Sequence, residues 1–191
     1  MADIKVEKVG GLTEEPIGGF NHLNIKVALV EWFSSIAAPK PLQDIDTPAN
    51  EATTFEELAE ISGTHTFNAG YGFMNIEALQ EKIDIEATPL GEKKGKLFEN
   101  KANVVVAGSN AKLLGFARWI KNKDVIVLLQ EFENGQLRQV GAERFAAAIE
   151  VTGKIEGAPE GGNTQSYVIS DKQVYQAPIY KGTVTVMPTQ V

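Results

Sequence analysis

From Leu23 the chain alternates strictly, with Leu23, Ile25, Val27 and Leu29 on one face and Asn24, Lys26 and Ala28 on the other. A period of two puts successive side chains on opposite sides of a pleated strand, so this run predicts a half-buried β-strand. The pattern returns over 58–67, where Ile61, Gly63, His65 and Phe67 share a face, and predicts a strand ending in a turn at 68–72. Residues 73–81 suit a short helix or a strand equally. Next, Ile83, Ile85 and Ala87 oppose Asp84, Glu86 and Thr88 in a strand that Pro89, lacking a donor for the ladder, is expected to stop. A polar hairpin over 91–96 leads to a strand from Leu97 through Val106.

The period then changes. Over 109–122, Leu113, Leu114, Phe116, Ala117, Trp119 and Ile120 form a broad apolar stripe, with Lys112, Arg118 and Lys121 on the wet side or near the C-terminus. This predicts one amphipathic helix, capped by Ser109. A strand over 125–132 follows, and Asn134-Gly135 signals a tight hairpin to a strand over 137–140. Residues 145–156 look helical by propensity, yet Phe145, Ala147, Ile149, Val151 and Ile155 alternate with polar positions, so period two predicts a strand. Residues 157–163 read as a loop, and 166–186 as two or three short strands split by Asp171-Lys172 and Pro178.

Two segments carry neither period. Residues 1–19, with Gly10-Gly11, Pro16 and Gly18-Gly19, read as an N-terminal arm that needs a partner to order it. Residues 34–54 hold Pro39, Pro41 and Pro48, and irregular stretches longer than about 12–15 residues are uncommon inside compact domains unless they are functional or disordered. The interspersed Ile36, Leu42 and Ile45 favour a loop that docks onto something. The expected fold is mainly β: a sandwich or barrel over 20–191 with one flanking α-helix, a long inserted loop and the arm at 1–19.

Composition narrows the chemistry. The 191 residues are 43% hydrophobic and 23% charged, as in a globular domain. With no cysteine there is no disulfide, thiolate metal site or cysteine nucleophile, which suits a reducing cytoplasm. The first residues contain no apolar signal core, and no stretch approaches the roughly 20 apolar residues of a membrane-spanning helix, so neither secretion nor membrane insertion is expected. A net charge of -7 argues against affinity for nucleic-acid phosphates.

Catalytic signals are weak. The two histidines, His22 and His65, lack metal-ligand spacing and read as structural. The run Gly108-Ser109-Asn110-Ala111-Lys112 precedes a helix but lacks the second glycine and the Lys-Ser/Thr of a phosphate loop, so it reads as a cap. Lys93-Lys94-Gly95-Lys96 reads as a solvated hairpin tip, and the pairs Glu56-Glu57 and Asp84/Glu86 as wet carboxylates. No Gly-x-Ser-x-Gly nucleophile motif is present, so neither an enzyme nor a cofactor is expected.

The order of arm, strand, long loop, strands, one helix, hairpin and further strands resembles the phage major tail proteins and the type VI secretion tube family. The resemblance is carried by Asn103 to Asn110 with the helix after it, Asp124 to Phe132, the Asn134-Gly135 turn, Gln139 to Phe145, and Tyr175 to Gly182, and it covers 97–186 best. It implies a β-sandwich or barrel whose subunits form hexameric rings stacked into a hollow tail tube in the virion, assembled in the host cytoplasm. The partners it implies are further copies of the chain, tape measure, baseplate or tail-tip and tail terminator proteins, and viral DNA passing through without specific binding.

Within that frame Ile36, Leu42 and Ile45 are expected to contact a neighbouring ring, and Asp84 and Glu86 to face an acidic lumen. The alternatives are another virion part (tail terminator, head-tail connector or capsid decoration protein) or a carbohydrate-binding β-sandwich using Trp32, Tyr71, Tyr167 or Tyr175.

Overall fold

A computed structural model describes residues 4–9, 17–157 and 162–188, so most of the N-terminal arm lies outside the described residues. The described residues form a β-sandwich with one α-helix. A six-stranded sheet has the order β3-β12-β9-β8-β1-β5, built from β1 (Phe20–Leu29), β3 (Glu60–Ile61), β5 (Met74–Ile76), β8 (Val125–Glu131), β9 (Leu137–Val140) and β12 (Ile179–Tyr180). A four-stranded antiparallel sheet has the order β10-β11-β7-β6, from β6 (Ile83–Leu90), β7 (Leu97–Ala107), β10 (Ala148–Ile155) and β11 (Asn163–Gln173). The short pair β2 (Phe33–Ser35) and β4 (Thr66–Phe67) stands apart, and α1 (Ala111–Ile120) links β7 to β8 across the sandwich.

Alternation explains the first core. Ile25, Val27 and Leu29 of β1, Val125, Val127 and Leu129 of β8, Val104 of β7, and Tyr167 and Ile169 of β11 pack between the two large sheets, and Ile120 closes one end. Part of the opposite face of the six-stranded sheet is also dry. There Ala28, Ile126 and Leu128 meet Phe33, Ile61, Phe73 and Tyr180, with Ile36 packed at the margin. The half-buried alternation holds from Asn24 to Val27, with Ile25 and Val27 buried and Asn24 and Lys26 partly exposed, and β1 is covered on both faces only around Ala28. Leu23 escapes burial because the register of β1 against β8 shifts between Phe20 and Ile25, turning the early residues out of phase with the core.

Other expectations need correction where pairing, rather than burial, decides the element. The run 58–67 keeps its inward Ile61, His65 and Phe67 but is two strands, one paired with β12 and the other with β2. Residues 73–81 contain β5, a strand, at the edge of the six-stranded sheet. Pro89 continues β6 instead of stopping it, because β6 is an edge strand with a ladder on one side only. The expected break at Asp171-Lys172 is absent, and β11 runs through it to Gln173. Asn110, not Ser109, caps α1, its side chain accepting the Leu113 N–H at 2.9 Å. The β8–β9 hairpin is looser than a two-residue turn: Glu131 N–H donates to Gln136 C=O at 2.8 Å, leaving a four-residue tip, and Gly135, not Asn134, takes the positive φ.

A buried polar chain ties the second core together. Ala37 N–H donates to His65 Nδ1 at 3.0 Å, so the ring proton sits on Nε2, which donates to Gln139 Oε1 at 2.8 Å. Gln139 Nε2 in turn donates to Gly141 C=O at 2.9 Å, and the Gly141 N–H donates to Asp171 Oδ2 at 2.6 Å. Gly141 has φ +99°, and a Cβ there would lie 2.5 Å from the Val125 carbonyl, so the close strand approach requires glycine. His65 also stacks on Tyr180 at 4.4 Å between ring centroids.

Protonating His65 would aim a second N–H at the Ala37 donor, and burial holds its pKa below the ordinary 6.5. The unfolded chain therefore binds this proton first, and His65's contribution to stability is present above pH 6.5 and lost as pH falls toward its folded pKa. Asp171 acts in the opposite direction, since burial raises its pKa and acidification relieves the buried charge. Thermal melts from pH 7 to pH 5 are expected to show wild type losing more stability on acidification than His65→Gln, whose profile flattens; parallel profiles would contradict the assignment. Leu128→Ala, removing a side chain with no exposed surface, is expected to cost about 2–5 kcal/mol in denaturant melts.

Candidate assembly surfaces

The four-stranded sheet has one covered face and one open face. Cross-strand register places Asp84, Asn103, Val168 and Glu150 in one outward row and Glu86, Lys101, Ser170 and Ala148 in the next. Asp84 and Glu86 thus stand together on the wet face of β6, as period two requires. Asn103 Nδ2 donates to Asp84 Oδ1 at 2.6 Å, and Glu86 lies opposite Lys101. Four carboxylates (Asp84, Glu86, Glu99, Glu150) and three lysines (Lys101, Lys154, Lys172) project from this face, so the acidity is concentrated at the β6 edge. Pattern revealed the two carboxylates; their cationic and amide neighbours come from register alone.

The same sheet ends in two free edges. β6 (Ile83–Leu90) and β10 (Ala148–Ile155) each have 8 residues and each pairs on one side only among the described residues. Such edges present unpaired backbone donors and acceptors, ready templates for another strand.

Residues 36–59 form a loop with its own internal bonding. Lys40 N–H donates to Glu57 C=O at 3.1 Å and Ala52 N–H to Pro41 C=O at 2.9 Å, drawing the two limbs of the loop together. Asp44 Oδ1 accepts from the N–H groups of Asp46 and Thr47 at 3.1 and 2.9 Å, and its pKa is lowered chiefly by the Thr47 bond. Glu57 accepts from Lys40 Nζ at 2.5 Å and from Thr53, which together pull its pKa to about 2, with the lysine bond foremost.

The three apolar loop residues therefore separate. Ile36 packs against the second core of its own chain, while Leu42 and Ile45 remain 59% and 86% exposed. In the described part of the arm, Val6 and Val9 are also exposed, although Lys5 N–H reaches Thr53 C=O at 2.9 Å.

The four aromatic residues divide: Trp32 and Tyr71 cluster with Trp119 near the surface, Tyr167 is buried and Tyr175 is half-buried. Trp32 stacks on Tyr71 at 5.5 Å and meets Trp119 at 6.1 Å, and Tyr71 and Trp119 remain 43% and 42% exposed. Tyr167 is buried with its hydroxyl donating to Gln165 Oε1 at 2.8 Å, and burial lifts the Tyr175 pKa to about 12. Beside α1 lies a cleft of about 660 Å³ between the helix and β5, lined by Met74, Ile76, Leu113, Phe116 and Tyr167, with Lys112 and Glu77 among its polar groups. The helix stripe expected to be buried is only partly so: Ile120 is buried, Leu113 and Phe116 pack on the first core, and Leu114 and Trp119 remain 53% and 42% exposed.

No helix among the described residues is long and apolar enough to cross a membrane. No protein-family model, curated protein or solved structure matches this chain.

Proposed function

We propose that the chain is a structural subunit that assembles head-to-tail into rings, hexameric by its resemblance to tail tube proteins, and that the rings stack into a hollow phage tail tube for DNA passage. The observation that carries this reading is the four-stranded sheet, with an uncovered polar face and two free eight-residue edges. If β6 of one subunit pairs with β10 of the next, each copy offers one edge of each kind, and the repeated heterologous contact closes into a ring. The polar face then continues from subunit to subunit as a wall. Tape measure, tail-tip and terminator proteins are the further partners this reading carries, in the virion tail, with no cofactor and no catalysis.

Negative-stain microscopy and light scattering of the purified protein test the reading, with rings or tubes expected. A strict monomer at high concentration, alone and beside tail partners, contradicts it; rings that never stack favour a terminator, connector or decoration role. Deleting residues 40–50 is expected to leave a folded monomer, since the large sheets do not use them, while tubes disappear. Replacing both Asp84 and Glu86 by lysine is expected to give tubes of normal shape with slowed DNA release, because phosphate contacts then recur in every subunit. Raised salt should restore part of the rate, as exposed charges are screened within about 10 Å at 0.1 M; unchanged release would remove β6 from the lumen.

A further inference from the structure

Charge is segregated along this chain. Residues 41–81 hold eight carboxylates (Asp44, Asp46, Glu51, Glu56, Glu57, Glu60, Glu77, Glu81) and no lysine or arginine. Residues 100–123 hold five cations (Lys101, Lys112, Arg118, Lys121, Lys123) and no carboxylate.

The fold gathers part of each run at one place: Lys112, Arg118 and Lys121 on α1, and Asp44 and Asp46 at the loop tip. On the wet side of α1, Leu114 and Arg118 are four residues apart and Arg118 and Lys121 three apart, which makes them neighbours on one stripe; Lys112 and Trp119, seven apart, form a second stripe about 100–120° further round the helix. All five are exposed, and Lys112, Arg118 and Lys121 make no ion pair among the described residues. The loop tip is the counterpart, with Leu42 and Ile45 projecting beside Asp44 and Asp46. The helix side is apolar with three cations free of ion pairs among the described residues, against the single carboxylate of Glu77 in the cleft, and the loop tip is apolar and anionic.

They cannot meet within one molecule. The loop is tied down beside β3, through the Lys40–Glu57 bonds just before Glu60, whereas the cleft between α1 and β5 lies at the other edge of the six-stranded sheet. β3 and β5 are five strand spacings apart in that sheet, roughly 24 Å at about 4.8 Å per step. Complementary patches on opposite edges of one subunit are the arrangement that joins copies head-to-tail.

We propose that the wet face of α1, with the adjoining cleft, receives residues 42–46 of a second copy of this chain. Ile45 or Leu42 enters the cleft beside Leu113 and Phe116, Asp44 and Asp46 meet Lys112 at its rim, and Arg118, about 120° further round the helix, adds to the attracting field. This rests on the self-assembly reading above and adds the receiving surface that reading lacks. A second copy is favoured over nucleic acid because the chain itself carries the matching partner, apolar as well as anionic, and a phosphate backbone has no use for Leu114, Trp119 or the apolar cleft.

Two variants test it. Gln43→Lys with Asp46→Lys makes the loop tip cationic and spares its internal bonds, since only the Asp46 main-chain N–H is used there. Lys112→Glu with Arg118→Glu makes the helix face anionic, with one change near each helix end so that their interactions with the helix dipole oppose each other. In the proposed contact each variant repels itself, while each loop complements the other variant's helix. Sedimentation and microscopy are expected to show each variant alone needing at least about tenfold more protein to assemble. An equimolar mixture, and a chain carrying all four changes, should assemble within about threefold of wild type. Circular dichroism and thermal melts of the separate variants should match wild type.

If both variants assemble as wild type does, this contact is wrong and self-assembly stands. If neither the mixture nor the combined chain recovers, loop and helix are not partners. If wild type binds short duplex DNA and only the helix variant loses it, with assembly unchanged, the face serves nucleic acid and the proposal falls. If wild type never assembles, the proposed function fails first and this inference with it.

Discussion

In β8 the run from Val125 to Leu129 is inaccessible to water on both faces, and the rest of the architecture follows from covering it. Val125, Val127 and Leu129 enter the first core, and Ile126 and Leu128 the second. Burying side chains of this size contributes roughly 1.5–3 kcal/mol each, so a strand wet on either face would forfeit a large part of a domain's net stability. The four-stranded sheet covers one side. The other is covered by β2 and β4 with Ile36, Ala37 and Val184 at the margins. A sheet used as a cover has only one dry face, which leaves its outer face polar and both of its edges open. The surfaces read as assembly surfaces are thus by-products of the way the central strand is buried.

Much of the sandwich was legible because period two records which face is dry. The strands over 97–106 and 83–87 and the single helix all emerge close to their predicted positions. Pairing is less legible, because a ladder partner leaves no trace in local pattern. Alternation over 58–67 correctly marks Ile61, His65 and Phe67 as inward, yet the segment serves two different sheets. Asp171-Lys172, expected to split a strand, lies inside β11. The carboxylate of Asp171 is instead held by Gly141 and Asn100, 30 and 71 residues away, and no local pattern shows such partners.

The candidate surfaces divide in the same way. Period two brings Asp84 and Glu86 to one face, but their nearly balanced surroundings depend on Lys101 and Asn103 arriving from β7. Apolar content marks Ile36, Leu42 and Ile45 alike, whereas only the tertiary structure shows that the first belongs to its own core and the others project outward. Charge segregation is visible in the chain itself; that the loop-tip carboxylates are tied beside β3 while the α1 cations lie towards the β5 edge comes from topology. The alternation of short local runs and long-range closure explains why surface chemistry was easier to foresee than its geometry.

The central claim is that copies join through the free edges of the four-stranded sheet. Hydrogen–deuterium exchange, compared between dilute monomer and concentrated assembly, reads those edges directly, because an amide recruited into an intermolecular ladder exchanges slowly. The account predicts that amides within Ile83–Leu90 and Ala148–Ile155 that exchange quickly in the monomer become protected together on assembly, while β8, protected throughout, stays unchanged. Assembly that leaves both edges exchanging at the monomer rate would contradict it.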